Sequence, residues 1–293
     1  MRYVIDHATR LTFAQPVREH QCELRLAPSA SAVQRVHAAA VEVEPAAMLD
    51  SYVDYFGNQV HHFDLASPHA QLLTRLHADV ETLLDNPFDF PLVAAHRERD
   101  WIADTLKAQP RLWDYVLSFS ALTPDLTRAE FPDLDVPKHT AARHVLDSVL
   151  TAAEWIGTTL EYRPGVTRTH CALADVWKER AGVCQDFAHL LIAVVRSWGV
   201  PARYVAGYQD PECAEDDATP APHAWAEVLI PGAGWRGIDP TAQLIANDRY
   251  VVVAVGRDSL DAAPQRGSFK GEESEEEPEV TLRIVRQQQE SAQ

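Results

Sequence analysis

The sequence predicts an α+β fold, in which an N-terminal antiparallel β-sandwich-like domain precedes a domain of helices packed on an antiparallel sheet. Two patterns lead to this prediction. Residues 1–82 hold short runs that alternate apolar and polar side chains, with no helix-period stretch between them. From about residue 112 the period becomes helical, and strand patterns return after residue 201. The predicted domains are therefore residues 1–85 and residues 86–293, the second with strands at its C-terminal end.

The strand pattern is clearest at a predicted hairpin in the first domain. Tyr52–Phe56 and Gln59–Phe63 flank Gly57-Asn58, and a short glycine-containing segment of this kind is typical of hairpin turns. Other segments with a period of two are Tyr3–Ile5, Glu23–Leu26, Val41–Glu44 and Ala78–Thr82. Together these segments predict an antiparallel sheet.

Composition and charge exclude several classes of protein. The chain has 293 residues, 46% hydrophobic and 24% charged, as is usual for soluble globular proteins. Its net charge of -17 argues against a nucleic-acid partner, because phosphate groups would repel this surface. No apolar run approaches the roughly 20 residues of a membrane helix, and the N-terminus lacks a signal-peptide pattern. We therefore expect a cytoplasmic protein with no membrane partner.

The sequence also predicts neither a metal site nor a cofactor. The scattered cysteines form no CxxC pair; they are Cys22, Cys171, Cys184 and Cys213. His170-Cys171 with His189 lacks the ligand spacing of zinc sites. The acidic stretches 210–217 and 272–277 lack the alternating oxygen ligands of a calcium loop, so solvated charge is the expected interpretation.

Cys184 is the first candidate for chemistry, because it begins a predicted helix. Apolar side chains follow at helical spacing, at positions 187, 190, 191, 194, 195 and 198, and Gly199 and Pro201 predict the helix end. A helix N-terminus stabilises a thiolate, and its first-turn N–H groups can hold an oxyanion. The competing interpretation is a small buried residue, which is the usual state of a free cysteine.

A nucleophilic thiol needs a base, and His223 is the strongest candidate among thirteen histidines. It opens one predicted strand, 223–230, and Asp239 ends the next, 234–239. Antiparallel neighbours bring the start of one strand beside the end of the other, so the carboxylate could orient the imidazole. His189 is closer in sequence, but five helical residues turn it about 140° away from Cys184. A purely structural role for His223 stays open at this point.

Four segments taken together resemble the core of the bacterial transglutaminase-like superfamily. They are Ala181–Ala188, Gly199–Tyr208, His223–Val228 and Gly234–Thr241. Residues 1–82 are similar to the N-terminal region that accompanies this core in bacteria, and 255–258 and 264–271 to its C-terminal stretch. The resemblance implies a papain-like arrangement, with a cysteine-bearing helix packed on an antiparallel sheet. It also implies a catalytic triad of Cys184, His223 and Asp239.

The resemblance further implies an activity on peptide or protein substrates. In this family the thiolate attacks a peptide or glutamine amide and forms a thioester, which water or an amine then resolves. We expect hydrolysis, because bacterial members of this kind are often interpreted as peptidases. The alternatives are a true protein-glutamine gamma-glutamyltransferase and a catalytically silent peptide-binding module.

Four further side chains are predicted to shape the substrate site. They are Tyr162, Trp177, Gln185 and Trp225. Either Tyr162 or Trp177 could assist the oxyanion, although core packing is the competing interpretation for both. The resemblance also implies an ATP-grasp ligase as a candidate partner, and it leaves the oligomeric state open.

Overall fold

The computed structural model of the protein describes residues 1–126, 131, 134–166, 171–210, 221–272 and 278–287. Its helices are α1 (Ala95–Ala108), α2 (Asp114–Leu117), α3 (Val145–Thr159), α4 (Leu173–Glu179) and α5 (Cys184–Ser197), and a 3-10 helix spans Pro110–Trp113. The first strands are β1 (Arg2–Leu24), β2 (Gln34–Glu44), β3 (Asp50–Val53), β4 (Gln59–Leu65), β5 (His69–Thr82), β6 (Glu161–Tyr162) and β7 (Ala181–Gly182). The later strands are β8 (Ala202–Gln209), β9 (His223–Ile230), β10 (Gly234–Asp239), β11 (Leu244–Ile245), β12 (Tyr250–Gly256), β13 (Gln265–Lys270) and β14 (Glu279–Gln287). The α+β class is as predicted.

The N-terminal sheet is built around β1. Within the described ranges, β1 to β5 join β13 and β14 in one curled antiparallel sheet. The first half of β1 pairs with β5 and β14, and its second half pairs with β4 and β13. Register shifts between Thr12 and Val17 and between Arg18 and Gln21 separate the two halves. The predicted segments at Tyr3 and Glu23 therefore lie at opposite ends of one bent strand.

The predicted hairpin is present as β3 and β4, with a wider turn than the Gly57-Asn58 pair alone. The turn runs from Asp54 to Asn58, and the Asp54 carboxylate accepts hydrogen bonds from the N–H groups of Phe56 and Asn58 at 2.9 Å each. Gly57 has φ 90°, which a residue without Cβ adopts at little cost. The side chain of Asp54 therefore fixes this turn.

The C-terminal strands lie elsewhere than the sequence analysis expected. We assigned them to the second domain, but β13 and β14 both pair with β1. Pairing between distant segments depends on which strand edge is open, and local periodicity carries no such information. The boundary at residue 85 itself stays a prediction.

The helical region also differs from its prediction. The predicted helical stretch from residue 112 to 160 is not continuous. Its described helical residues belong to the end of the 3-10 helix, to α2 and to α3, and prolines such as Pro124 and Pro137 lie between α2 and α3. Helix α1 was not predicted from the sequence. Its buried side chains are only Glu98, Ile102 and Leu106, so its apolar stripe is short. None of the helices in the described ranges is long and apolar enough to cross a membrane.

The second sheet carries the candidate site. Its strand order is β11-β10-β9-β8-β12, with antiparallel pairing throughout. Helix α5 packs on β9 and β8 and also contacts α3 and α4. Every residue from Asp186 to Arg196 is buried, so α5 is the central helix of this domain. It ends as predicted, since Gly199 takes φ 76° and its N–H donates to the Arg196 carbonyl at 2.9 Å.

Two side-chain amides from the first sheet bind the outer edge of β12. Gln34 donates to the Val252 carbonyl and accepts from the Val252 N–H, both at 2.8 Å. Asn58 does the same at Val255, at 2.8 and 2.7 Å. These amides take the place of a neighbouring strand, and they join the two sheets through β12.

Candidate active site

The start of α5 is fixed by the residues on either side of Cys184. Asp186 is fully buried, and its carboxylate accepts a hydrogen bond from the Val183 N–H at 2.9 Å. A Cβ at position 182 would lie 2.8 Å from Asp186 Oδ2, so the glycine there makes room for this carboxylate. Cys184 is thus the first residue of the helix, as the sequence predicts, and it is half-buried.

His223 and Asp239 form the hydrogen bond that the strand pattern predicts. His223 is the first residue of β9 and Asp239 the last of β10, and Ile238 pairs with Ala226 between these strands. His223 Nε2 lies 2.6 Å from Asp239 Oδ2. This contact leaves Nδ1 as the ring nitrogen that can face the thiol.

The Asp239 carboxylate is held by four donors. It is completely buried. Its Oδ1 accepts from the N–H groups of Thr241 at 2.9 Å and Ala242 at 3.1 Å. Its Oδ2 accepts from His223 and from the Tyr250 hydroxyl, the latter at 2.9 Å. These bonds fix the orientation of the carboxylate.

The charge state of His223 follows from these neighbours. Burial opposes the imidazolium, but hydrogen bonds to Asp239 and Cys184 and the negative charges of both groups outweigh it. Together they raise the pKa of His223 to about 10. Cys184 thus acts, together with Asp239, on an imidazole that favours its charged form.

Tyr162 lies near this group. Burial, followed by the charges of Cys184 and Asp239, raises the pKa of its phenol. The side chain is 50% exposed and packs edge-on against Phe187, with ring centroids 6.1 Å apart. Gln185 is half-buried in the first turn of α5. Substrate contact by Tyr162 and Gln185 stays a prediction.

The two tryptophans make packing contacts of their own, and substrate contact by either one stays a prediction. Trp225 is 1% exposed, and its indole stacks beneath the His223 ring at 6.1 Å and 29°. A Cβ at position 207 would lie 2.6 Å from that indole, and a Cβ at position 237 would lie 3.0 Å from it. Glycine at both positions therefore leaves the space that the indole occupies. Trp177 instead stacks on Trp155 at 6.0 Å, with the Arg180 guanidinium 3.4 Å from its ring centre. Their positions indicate support for His223 and for α4, respectively.

Three further residues were considered as candidates, namely His189, His170 and Cys213. His189 is 1% exposed and its Nε2 accepts from the Ser259 N–H at 3.1 Å, so it is packed as expected. His170 and Cys213, with most of the loop before His223, lie outside the described residues. Among the described residues, no cluster of three or more His, Cys, Asp or Glu side chains could hold a metal.

Tyr250 and Gln209 were missed by the sequence analysis. Tyr250 begins β12, and its hydroxyl also accepts from Gln209 Nε2 at 2.8 Å. Nothing local in the sequence marks either residue. Only the pairing of β12 with β8, and the closeness of that pair to Asp239, brings them to the site.

Comparisons with known proteins give matches over most of the chain. Residues 3–81 match the model of the bacterial transglutaminase-like N-terminal region, and residues 135–240 match that of the transglutaminase-like superfamily. An uncharacterized protein of Mycobacterium leprae is 33% identical over 273 residues, which cover 92% of this chain and 94% of the relative.

Two further likenesses are more distant. A protein-glutamine gamma-glutamyltransferase of Pseudomonas aeruginosa is 30% identical over 159 residues, 45% of this chain and 22% of the relative. A Cytophaga hutchinsonii structure named "a Putative Cysteine Protease" has a TM-score of 0.72 at 23% identity, covering 98% of this chain and 92% of that one. This last likeness establishes the fold.

Proposed function

The chain belongs to the transglutaminase-like superfamily, in its bacterial form with the accompanying N-terminal region, and we propose that it is a cysteine-dependent acyl-transfer enzyme. Its substrates are peptide or glutamine amides, and its intermediate is a thioester. The observation that supports this most is the His223–Asp239 bond of 2.6 Å beside a thiol at a helix N-terminus.

In the acylation step, the Cys184 thiolate adds to the amide carbonyl carbon. The developing oxyanion faces the N–H groups of Cys184 and Gln185 at the start of α5, since those of Asp186 and Phe187 donate to the Val183 carbonyl at 2.9 and 3.1 Å. The C–N bond then breaks, and the His223 imidazolium gives its proton to the departing nitrogen. Asp239 keeps the imidazole oriented while its charge changes. The products are an amine, or ammonia from glutamine, and the acyl thioester.

In the second step, neutral His223 takes a proton from the incoming nucleophile. That nucleophile adds to the thioester carbon, the C–S bond breaks, and the thiolate–imidazolium pair is restored. Water gives a carboxylic acid, whereas a primary amine gives a new amide. The same three residues serve both outcomes.

We favour water as the acceptor. Cys184 is half-buried and Tyr162 is 50% exposed, so in the described part of the chain the thiol lies at the surface of the domain. Transfer to an amine requires a site that binds the amine and excludes water, whereas hydrolysis needs only access. The likeness to the Pseudomonas aeruginosa gamma-glutamyltransferase supports the second candidate, transfer to an amine.

The first experiment tests the nucleophile. An electrophilic amide-mimic probe should add one label to the wild-type protein and none to Cys184→Ala, as measured by intact mass. Cys171→Ala is the matched control, since Cys171 is also free and half-buried. A label that persists in Cys184→Ala, or that disappears in Cys171→Ala, would overturn the assignment.

The second experiment identifies the acceptor. A library of glutamine-containing peptides is incubated with the enzyme, with and without a fluorescent primary amine, and analysed by mass spectrometry. Cleavage or deamidation indicates hydrolysis, and amine incorporation indicates transfer. Peptide binding without any turnover, unchanged in Cys184→Ser, would instead support the silent binding module. The cytoplasmic location and the ATP-grasp partner stay predictions from sequence.

A further inference from the structure

Asp239 Oδ2 receives a second donor from a strand outside the predicted triad. The Tyr250 hydroxyl donates to it at 2.9 Å, while Gln209 Nε2 donates to the Tyr250 oxygen at 2.8 Å. The Tyr250 hydroxyl accepts a hydrogen bond from Gln209, and its own proton therefore points to the Asp239 carboxylate. Gln209, Tyr250, Asp239 and His223 thus form one chain of hydrogen bonds across β8, β12, β10 and β9.

The phenol ring of Tyr250 is held on several sides. The side chain is 5% exposed, and its ring packs edge-on against Trp225 at 5.2 Å and 75°. Its residue pairs with Gln209 across the sheet, and two positions further along β12 the Gln34 amide binds Val252. The hydroxyl therefore has little freedom to leave Asp239.

We propose that Tyr250 is a positioning residue, which acts through Asp239 to orient His223 and to keep its imidazolium acidic enough to protonate the departing nitrogen. This role rests on the proposed function. Tyr250 acts on the carboxylate that orients the base.

The direction of its effect follows from the two charge states of His223. A donor to Asp239 stabilises the carboxylate most when the imidazole opposite is neutral, because the negative charge is then uncompensated. The Tyr250 hydroxyl therefore favours the neutral imidazole relative to the imidazolium. Without it, the imidazolium would hold its proton more tightly and would be a weaker acid.

Other ionisable groups around His223 do not provide this effect. In the described residues, the groups that act on it are Asp239 from β10 and Cys184 from α5, both of which favour the imidazolium. Tyr162 from β6 interacts with those two groups, and burial and their charges keep its phenol neutral. Trp225, beneath the ring, carries no charge. Among these side chains, the Tyr250 hydroxyl is therefore the one that opposes imidazolium formation by hydrogen bonding, in addition to the backbone N–H groups of Thr241 and Ala242 on the other carboxylate oxygen.

The test is a pH titration of His223 in the Tyr250→Phe variant. The titration is monitored by NMR of protein labelled with 15N-histidine. The His223 signals are identified by their loss in His223→Gln. We expect the midpoint of the His223 titration to move to higher pH in Tyr250→Phe, and acylation near neutral pH to slow by about tenfold. Tyr208→Phe is the matched control, because Tyr208 is also buried on this sheet but bonds His7, at 2.8 Å.

Two results would overturn the proposal. One is a His223 midpoint in Tyr250→Phe equal to that of the wild type. The other is an equal shift in Tyr208→Phe, which would indicate a general structural effect. Gln209→Leu leaves Tyr250 in place but removes the donor to its hydroxyl, so the His223 titration midpoint should rise by a smaller amount. This variant tests the proposal if Tyr250→Phe does not fold. The NMR readout needs no turnover, so an unreactive Cys184 would contradict the proposed function and leave this inference standing.

Discussion

The side-chain amide of Gln34 binds the backbone of Val252 as a neighbouring strand would. It donates to the Val252 carbonyl and accepts from the Val252 N–H, both at 2.8 Å. Gln34 is 2% exposed and belongs to the N-terminal sheet, whereas Val252 lies in β12 of the second sheet. The strand that carries Tyr250 is therefore held by the other sheet of the protein.

Replacing Gln34 with Ala should destabilise the protein by about 1–3 kcal/mol, because the Val252 N–H and carbonyl would lose their partners. The free energy of unfolding is measured by urea denaturation. Gln71→Ala is the control, since Gln71 is exposed and makes only a 3.4 Å bond to Arg10. Equal midpoints for the two variants would contradict the bridging role.

Alkaline pH should weaken the folded state through His223. Its pKa is raised from 6.5 to about 10 in the fold, because the contributions of Asp239 and Cys184 exceed the opposing effect of burial. A raised pKa gives stabilisation that is complete below pH 6.5 and is lost as pH rises towards 10. The free energy of unfolding should therefore fall over this interval, and it should fall less in His223→Gln.

The matched control for this pH profile is His96→Gln, because His96 is exposed on α1. It should follow the wild type across the whole range. A His223→Gln profile that runs parallel to the wild type between pH 6.5 and 10 would refute the raised pKa.

Asp239→Asn should slow acyl transfer by about 10³ to 10⁴ while keeping the fold. The amide can no longer stabilise the imidazolium, and it can offer its NH₂ to the imidazole, which favours the wrong tautomer. In the same variant the pKa of His223 should fall, since a negative charge is removed. Steady-state kinetics on an amide substrate found by the library experiment measure the rate. Activity within a few-fold of wild type would exclude Asp239 from the triad.

Asp186→Ala should affect both stability and the thiol. Loss of its bond to the Val183 N–H should destabilise the protein by about 1–2 kcal/mol, and the first turn of α5 should loosen. Alkylation of Cys184 should then slow, as followed by intact mass. Asp147→Ala is the control, because Asp147 lies exposed in the first turn of α3. Faster alkylation in Asp186→Ala than in the control would contradict this interpretation.

Arg196→Met should be among the most destabilising single changes, at about 3–5 kcal/mol. The guanidinium is 3% exposed and donates to four backbone carbonyls, those of Tyr115, Ser118, Ala202 and Arg257. Their oxygens would be left buried without this donor. Arg35→Met provides the comparison, since that side chain is 59% exposed. Similar urea midpoints for both variants would disprove the structural role of Arg196.

Much of helix α5 and of the second sheet was predictable because the signals are local. Helix α5 begins at Cys184 and is followed by Gly199, and β9 and β10 have the predicted bounds, 223–230 and 234–239. The His223–Asp239 contact also followed, since adjacent antiparallel strands joined by a short turn bring these positions together. In these segments, the residues that fix each element are close neighbours in the chain.

Other features required the tertiary structure. The pairing of β13 and β14 with β1, the bond from Tyr250 to Asp239 and the carbonyls that surround Arg196 all join residues far apart in sequence. Periodicity tells which face of a strand is buried, but not which edge meets which partner. The sequence alone therefore determined the places of Cys184, His223 and Asp239 on their local elements, whereas sheet closure decided what surrounds them. The physical reason is that side-chain alternation is a local property of a strand, while edge pairing depends on every other strand of the sheet.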